Sequence, residues 1–339
     1  MKEYGVYVFL HNFIVEVSWL PKKNIDSSLV DDCLQNCISS NQWVNGGQFS
    51  SQLEGLFKSI AGISDDFDVI YTNSATSALH LAFRLIKHLF PDFHNVLTSA
   101  FTFPSVVQSG IFTPLINDLG DNFQPILSDH LDTVNVVTNL FGSINDLNLH
   151  KDHFVVYDNS ASPLGFYNNR SIHEYGFCSV VSLHHTKMIG FGEGGFLIIN
   201  KMHASLARRF LNFGFSPNDR THHSLGSNFK GSEISAIYSL QFLNQLHGFS
   251  LSVIQNHQYY HSILNSTLQN HATNILPGCY FYIHETPLSS SQAAVKKYYK
   301  PLMSLPNSLD LFNRILCFPV HQDINHASID YLVDQSNCV

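Results

Sequence analysis

The chain has 339 residues, of which 44% are hydrophobic and only 13% are charged. This composition excludes a disordered chain, and the length suffices for one large domain and a smaller one. The formal net charge is -8, with 18 basic against 26 acidic residues and no basic run, which argues against nucleic acid or an anionic membrane as the main partner.

Neither the first residues nor the cysteines indicate secretion. Residues 1–20 are apolar in places, but Glu3, His11, Asn12 and Glu16 interrupt them, so they contain no clean signal-peptide core or membrane-length span. The six cysteines include no C-x-x-C pair, which is typical of reduced thiols. We therefore expect a cytoplasmic protein.

The 20 histidines raise the question of a metal site. Two pairs are adjacent, at residues 184–185 and 222–223. Neighbours on a strand point to opposite faces, so such a pair cannot readily chelate one ion. Neither pair is part of an H-x-x-x-H or H-E-x-x-H motif, and we predict that no metal is bound.

Short apolar strands alternate with helical or loop segments from about residue 66 onward. Residues 69–72 predict a strand, and apolar positions between residues 78 and 86 predict the helix that follows. Further strands are predicted at residues 96–97, 134–140, 154–157, 178–183 and 196–199. This alternation predicts an α/β fold with a mostly parallel sheet.

Small polar residues form the turn between the first of these strands and its helix, with the sequence N-S-A-T-S-A at residues 73–78. Backbone N–H groups at the start of a helix, together with the Thr76 hydroxyl, can surround one phosphate group. Ser and Thr are equally typical of an ordinary N-cap. Both interpretations remain open at this point.

Two further residues are suited to contact a ring-shaped ligand. Phe103, in A-F-T-F-P, can lie flat against a ring. Asp158 ends the predicted strand at residues 154–157, where a carboxylate can meet a ligand above the sheet. Pyridoxal phosphate (PLP) needs such a carboxylate to keep its pyridine nitrogen protonated. The alternative is that Asp158 only caps the next turn.

Lys187 lies between the predicted strand at residues 178–183 and a glycine-rich segment. An amine held there can form a Schiff base with a substrate carbonyl or with the aldehyde of PLP. The alternative is a surface lysine at a strand end.

The glycines at residues 190–195 fit G-x-G-x-x-G, the pattern of dinucleotide-binding turns. That pattern needs a helix after it and an acid about 20 residues on. Here the glycines lead directly into a predicted strand, and the residues near 215 offer no acid at a strand end. We therefore reject a dinucleotide site and interpret the glycines as a sharp bend after Lys187.

A helix is predicted from Ser232 to about residue 246, followed by a long helix that leads into a smaller terminal part. We therefore predict a large domain at residues 1–246, with an N-terminal extension, and a small α+β domain at residues 247–339. The predicted strands of the small domain are residues 279–283 and 315–318.

Taken in order, several segments resemble the DegT/DnrJ/EryC1/StrS family of PLP-dependent sugar aminotransferases. They are N-S-A-T-S-A-L-H, A-F-T-F-P-S-V, N-L-F-G, Y-D-N-S-A-S-P-L-G and S-L-H-H-T-K-M-I-G-F-G-E-G-G, with weaker matches at residues 225–233, 298–302 and 317–321. The resemblance covers roughly residues 40–335 and implies the fold type I PLP-dependent transferase architecture. Its most specific part is the block S-x-x-x-T-K-x-x-x-x-G-E-G-G.

The resemblance implies a role for individual residues. Lys187 matches the Schiff-base lysine, Asp158 the pyridinium partner and Phe103 the ring-stacking aromatic. The residues that match the phosphate cradle are Ala75, Thr76, Ser77 and Ser182. Asn228 matches an asparagine that reaches the phosphate of the partner subunit, which implies a homodimer with shared active sites.

Three positions depart from the family pattern. Tyr157 replaces the usual acid before the aspartate, and Ala161 replaces the glutamine expected near the phenolic oxygen of the cofactor. Lys230 stands where arginine is usual, which is not a conservative exchange at a bidentate site. These departures bear on substrate choice and rate more than on cofactor binding.

The function implied is a PLP-dependent aminotransferase that converts a nucleotide-linked keto-deoxysugar to an amino sugar, with an amino acid, by resemblance L-glutamate, as the donor. One alternative is a PLP-dependent sugar dehydratase, but dehydratases of this family carry histidine where Lys187 stands. The other is a non-catalytic or regulatory PLP-fold protein, which the departures at Ala161 and Lys230 allow. The retained cofactor contacts favour the aminotransferase.

Overall fold

The computed structural model describes residues 5–10, 13–216, 218, 220–264, 271–288 and 295–336. The strands are β1 (Gly5–Leu10), β2 (Phe13–Ser18), β3 (Phe67–Thr72), β4 (Asn95–Ser99), β5 (Thr113–Asn117), β6 (Thr133–Thr138), β7 (Val155–Asp158), β8 (Phe166–Tyr167), β9 (Arg170–Ser171), β10 (Cys178–Ser182), β11 (Gly195–Asn200), β12 (Tyr280–Ile283) and β13 (Ile315–Phe318). The α-helices are α1 (Ser27–Ser40), α2 (Gln48–Ile60), α3 (Ala75–Leu89), α4 (Lys201–Leu211), α5 (Glu233–Leu243), α6 (Leu246–Leu264), α7 (Pro306–Arg314) and α8 (His326–Gln335).

Seven strands form the central sheet in the order β3-β11-β10-β7-β6-β4-β5. The run from β10 to β5 is parallel throughout, whereas β11 is antiparallel to both of its neighbours. The prediction of a mostly parallel α/β sheet is therefore confirmed. Because β3 runs in the same direction as the parallel strands, six of the seven strands end at one edge of the sheet, the usual position of ligand sites in this fold class.

Both faces of the sheet are covered, as the alternation of side chains along β11 shows. Phe196 and Ile198 pack into a hydrophobic cluster with α2, α5 and α6, whereas Leu197 and Ile199 pack into a second cluster with α3 and α4. Successive side chains on a strand point to opposite faces, so a strand buried on both sides is apolar at every position. The result is three layers, with helices on either side of the sheet.

Glu233 joins two helices of one layer. It is the first residue of α5, and its buried carboxylate accepts hydrogen bonds from the backbone N–H groups of Gly47 and Phe49, at 3.2 and 2.7 Å, where α2 begins. A carboxylate at a helix N-terminus is stabilised by the unpaired N–H groups and the helix dipole. This contact fixes α5 against α2 behind the site described below.

The C-terminal residues add the separate two-stranded sheet β12-β13 and the helices α7 and α8. Some of their apolar side chains belong to the same cluster as the sheet, because Phe318 and Leu332 pack together with Tyr71 and Phe196. The helix predicted from Ser232 to about residue 246 ends at residue 243, and α6 starts after a two-residue turn. The division into domains at residues 246 and 247 stays a prediction.

Candidate active site

A cavity of about 510 Å³ opens at the edge of the sheet where the parallel strands end. Thr138, Asp158 and Ser182, the last residues of β6, β7 and β10, line its floor. The turn after β3 and the loop after β10 supply two of its walls. Of the predicted site residues, those that line the cavity are Ala75, Thr76, Phe103, Asp158, Ala161, Ser182 and Lys187.

Lys187 stands in a tight turn after β10. Its backbone N–H donates to the carbonyl oxygen of His184 at 2.8 Å, and its own carbonyl oxygen accepts the N–H of Gly190 at 3.0 Å. Burial lowers the pKa of the Lys187 amine, and the negative charge of Asp158 opposes that effect only in part. A lowered pKa raises the fraction of neutral, nucleophilic amine at neutral pH.

This pKa shift can be tested on the protein without cofactor. We expect acetylation of Lys187 to rise with pH through a midpoint below 10.5, the ordinary value for lysine, because the buried site disfavours the ammonium form. Replacing Asp158 with asparagine should move the midpoint lower still, because the charge that supports the ammonium is removed. Peptide mass spectrometry across a pH series measures both midpoints. A midpoint at or above 10.5 would contradict the burial of this amine.

The glycines after Lys187 have the structural role that the sequence predicted. Gly192 has φ +71°, in the left-handed region, and the segment leads directly into β11 without a helix. At Gly195, a Cβ atom would lie 2.4 Å from the backbone nitrogen of Ala75. The absence of a side chain there lets β11 pass directly beneath the first turn of α3.

We expect Gly195→Ala to destabilise the protein by about 1–3 kcal/mol, because the added methyl group meets backbone atoms that cannot move away cheaply. It should also weaken the binding of inorganic phosphate, because the first turn of α3 is displaced. Gly248→Ala is the control, since Gly248 lies in α6 and an added Cβ atom would meet nothing within 4 Å. Urea unfolding and phosphate titration measure the two effects. Equal stability of both variants would show that the packing at Gly195 is not tight.

The first turn of α3 faces the cavity with its backbone N–H groups. Ser74 is the N-cap, and its hydroxyl oxygen accepts the N–H of Ser77 at 3.1 Å. Ala75 and Thr76 line the cavity, whereas Ser77 lies outside the lining. The N-cap interpretation therefore applies to Ser74, and it is compatible with an anion site. Unpaired N–H groups and the helix dipole attract a phosphate at this position.

Asp158 is buried at the end of β7 and lines the cavity. Its Oδ1 atom also accepts the backbone N–H of Ser160 at 3.0 Å, so the residue caps a turn and faces the site at the same time. Ala161, three residues on, contributes only a methyl group to the wall. The hydrogen bond from Ser160 to one carboxylate oxygen thus fixes the orientation of the Asp158 side chain.

An aromatic wall stands beside these groups. Phe103 follows β4, lines the cavity and is 53% exposed, so one ring face is accessible. Tyr299 lies edge-on to Phe103, with 6.4 Å between ring centroids, and stacks on Phe141 at 5.5 Å. Burial and the nearby charge of Asp158 raise the pKa of Tyr299, so its hydroxyl remains a hydrogen-bond donor at neutral pH.

Tyr299 lies in a segment that resembles the family, but no role was predicted for it, and the contribution of the N-terminal residues to the cavity was not predicted either. Trp19 and Pro21 line the cavity on the side of His321. The His321 Nε2 atom donates to the carbonyl oxygen of Ser18 at 2.9 Å, while Nδ1 accepts the N–H of Asp323 at 3.3 Å, the pattern of a neutral imidazole. Consistently, burial lowers the pKa of His321.

Asn228 is exposed and lies outside the cavity lining of this chain. Its Oδ1 atom accepts a hydrogen bond from the Lys230 ammonium at 2.7 Å. The carbonyl oxygen of the next residue, Phe229, accepts the backbone N–H of Asn73 at 2.9 Å, so this segment runs alongside the turn that leads into α3. The Asn228 side chain is accessible to a second molecule.

Two further properties of the part of the chain that the structure describes bear on its function. None of its helices combines the length and apolar character that crossing a bilayer requires. Across the same residues, no group of three or more His, Cys, Asp or Glu side chains is arranged to hold a metal ion.

Sequence comparison identifies relatives of this chain. The model of the DegT/DnrJ/EryC1/StrS aminotransferase family matches residues 25–113 and 137–278. The chain is 25% identical to the dTDP-4-amino-4,6-dideoxy-D-glucose transaminase of Shigella dysenteriae over 212 residues, which are 53% of this chain and 57% of the relative. The match therefore spans little more than half the length of that curated protein.

Similar folds occur among solved structures. A protein of Bacillus cereus ATCC 10987, assigned as a PLP-dependent aminotransferase, has a TM-score of 0.81 and 18% identity, covering 93% of this chain and 98% of that one. DesI, solved in the presence of its TDP-sugar product, has a TM-score of 0.74 and 19% identity, covering 92% of this chain and 90% of that one. At these identities the likeness shows the fold, which is the predicted fold type I architecture. Since the family model matches well over half of the sequence, the chain belongs to the DegT/DnrJ/EryC1/StrS aminotransferase family.

Proposed function

We propose that this chain is a PLP-dependent aminotransferase that converts a nucleotide-linked keto-deoxysugar to an amino sugar, with L-glutamate as the nitrogen donor. One observation carries the proposal: the buried amine of Lys187 and the carboxylate of Asp158 face a single cavity that is also bounded by a helix N-terminus. Amine, acid and anion site are the three groups that PLP requires of a protein.

The residues of the cavity fit PLP. The N–H groups of Ala75 and Thr76 and the hydroxyl of Ser182 would hold its phosphate, where the close approach at Gly195 keeps the turn in place. Asp158 would pair with the ring nitrogen and Phe103 would cover one ring face. When bound, PLP supplies an aldehyde that condenses with amines and a ring that accepts the electrons released at the adjacent carbon.

Lys187 has two tasks in this proposal. Its neutral amine would hold the cofactor covalently, and when free it would act as general base and acid, moving a proton to and from the reacting carbon. The lowered pKa suits both tasks, because an amine must lose its proton to act as a base near neutral pH. The carboxylate of Asp158 would pair with the ring nitrogen of bound PLP and so support the ring as an electron acceptor.

The relatives support the proposed substrate class. The curated relative is a dTDP-amino-sugar transaminase, and DesI was solved with a TDP-sugar product. In this chain, Trp19 and Tyr298 line the cavity with ring centroids 5.9 Å apart. Aromatic rings with a polar edge suit a ligand that presents both a hydrophobic and a hydroxylated face, as a deoxysugar does. We propose a cytoplasmic enzyme that acts on such a nucleotide sugar.

Amino transfer is preferred over dehydration because of Lys187. An amine at this position would be able to bind the cofactor again after each turnover, as amino transfer requires. Dehydratases of the family carry histidine there, and an imidazole cannot form a Schiff base with the aldehyde of PLP. A regulatory protein without catalysis is disfavoured because the amine, the acid and the anion site are all retained in one cavity.

The test separates the two half-reactions. PLP-loaded protein mixed with L-glutamate alone should release one 2-oxoglutarate per site. After removal of glutamate, a panel of dTDP-, UDP- and GDP-linked keto-sugars should yield an amino sugar with one of them, identified by mass. A deoxygenated sugar with ammonia would instead indicate the dehydratase. Release of neither product would favour the non-catalytic alternative.

We further propose a homodimer in which Asn228 completes the phosphate site of the partner subunit. The support is its exposed position on the segment beside the turn that leads into α3. Chains with Asn228→Ala and with Lys187→Ala should each lose most activity alone. Mixed after unfolding and refolding, they form heterodimers with one site carrying both defects and one carrying neither.

Activity should then return to about a quarter of the wild-type level, because half of the dimers are mixed and each has one intact site. The refolded single variants are the controls. If sedimentation showed a monomer and that monomer were fully active, the shared site would be ruled out. Mixed samples that are no more active than the controls would rule it out as well.

A further inference from the structure

Lys23 is a second, partly buried lysine close to Lys187, and it has no role in the proposed reaction. Its Nζ atom donates hydrogen bonds to the carbonyl oxygen of Lys187, at 2.7 Å, and to that of Gly190. The same Nζ atom lies 4.7 Å from the centre of the Phe242 ring on α5. The ammonium therefore sits between α5 and the turn that carries the reactive lysine.

The surroundings of Lys23 are unusual for a charged group. No ion pair among the described residues includes it, so the partners found for its charge are two carbonyl dipoles and an aromatic face. Burial lowers the pKa of Lys23 to about 7. Removing an ammonium group from water costs free energy unless its hydrogen bonds offset the cost. If this side chain only filled space, a neutral side chain would therefore make the fold more stable.

The two carbonyl groups belong to one turn, closed by the bond from the Gly190 N–H to the Lys187 carbonyl. The turn also packs tightly against the residues that precede it, because a Cβ atom at Gly190 would lie 2.1 Å from the carbonyl oxygen of His184. The turn is thus held by this close packing and by Lys23. Met188 and Ile189, between its ends, are buried.

We propose that Lys23 is a positioning residue, which fixes the main chain of residues 187–190 so that the Lys187 amine is held at the reacting position. The inference rests on the proposed function, since it concerns the residue that attaches the cofactor. Displacement of a catalytic group by about 1 Å can cost roughly 100-fold in rate, and a long side chain such as lysine transmits any shift of its Cα atom. Without Lys23, the Gly190 carbonyl loses a donor and the turn gains freedom.

The neighbouring residue provides a matched control. Lys22 is exposed, and its contact with the rest of the protein is made by its backbone N–H, which donates to Asp323 at 2.6 Å. Lys22→Met removes the same charge from the same segment without touching the turn. Lys23→Met removes the clamp while keeping an unbranched side chain of similar length, and Lys23→Arg retains a charged donor.

The first measurement uses full-length protein without cofactor, so it stands even if the proposed reaction is wrong. Amide hydrogen exchange of residues 183–191 should become at least about tenfold faster in Lys23→Met, whereas β7 and the Lys22→Met protein should match wild type. The exchange rate in Lys23→Arg should lie between the rates in wild type and in Lys23→Met. Equal exchange rates in Lys23→Met and wild type would overturn the proposal. A rate that rises equally throughout the protein would also overturn it, because such a rise indicates a loss of global stability.

The second measurement follows attachment of PLP to Lys187 by borohydride fixation and mass spectrometry. We expect Lys23→Met to bind PLP with near-normal affinity but to attach it about 10- to 100-fold more slowly. Attachment at the wild-type rate would overturn the positioning role. Failure of wild-type protein to attach PLP would refute the proposed function, and the exchange data would then decide alone whether Lys23 holds the turn.

Discussion

Lys187→Ala is expected to lower amino transfer by at least about 10⁴-fold, because it removes both the attachment point of the cofactor and the general base. The fold should persist. Among the described residues, no hydrogen bond of the Lys187 side chain is found, and its loss from a cavity wall leaves the sheet intact. Single-turnover release of 2-oxoglutarate from glutamate measures the activity, and circular dichroism follows the fold.

Lys201→Ala is a suitable control, since Lys201 is exposed at the start of α4 and lies outside the cavity lining. It should retain full activity. The alanine variant at Lys187 should still bind PLP through the α3 turn and Asp158, but without a covalent bond. If this variant transferred amino groups at more than about a hundredth of the wild-type rate, another residue would have to act as the base.

Asp158→Asn should lower turnover by about 10²- to 10³-fold, the usual effect of removing one fixed charge that stabilises a transition state. Folding should be nearly unaffected. The amide oxygen can still accept the N–H of Ser160, which Oδ1 of the aspartate accepts at 3.0 Å. The variant therefore separates the charge of the residue from its role as a turn cap. Steady-state kinetics with glutamate and thermal unfolding give the two values.

Asp26→Asn is the matched control for this change. Asp26 caps α1 at an exposed position, accepting the N–H of Ser28 at 2.9 Å, and asparagine is an equally good cap. It should leave both activity and melting temperature unchanged. Near-normal activity of Asp158→Asn would reduce Asp158 to a structural residue, and the acid that serves the ring nitrogen would have to be found elsewhere.

The convergence of the main site residues could be predicted from the sequence, because it depends on local pattern. Asp158 and Ser182 each close an apolar run, and the carboxyl ends of parallel strands meet at one edge. The bend after Lys187 could be predicted in the same way from its glycines. What these residues share is that their position follows from the strand on which they lie.

Other parts of the site could not be predicted, because they depend on contacts between distant segments. Lys22 and Lys23 are identical neighbours in the sequence, yet only Lys23 reaches the turn at Lys187, 164 positions away. Tyr299 lies in the cavity because β12 and β13 bring its loop to Phe141. By contrast, the helices α1 and α2 could have been predicted although they were not, because apolar residues recur at helical spacing in both, as at Phe49, Leu53 and Phe57 of α2.

The bond between His321 and Ser18 joins positions that are 303 residues apart, and the Lys22 contact with Asp323 spans 301. During synthesis, Lys187 and Asp158 therefore leave the ribosome long before His321 can hold Ser18 and the adjacent Trp19 in place. Closing so long a loop is slow, because the chain loses entropy before the stabilising contacts between its ends have formed. A nascent chain thus carries its reactive amine before it has a finished pocket. The capture of a ligand by the finished cavity would report that residues 321–323 have docked against residues 18–22.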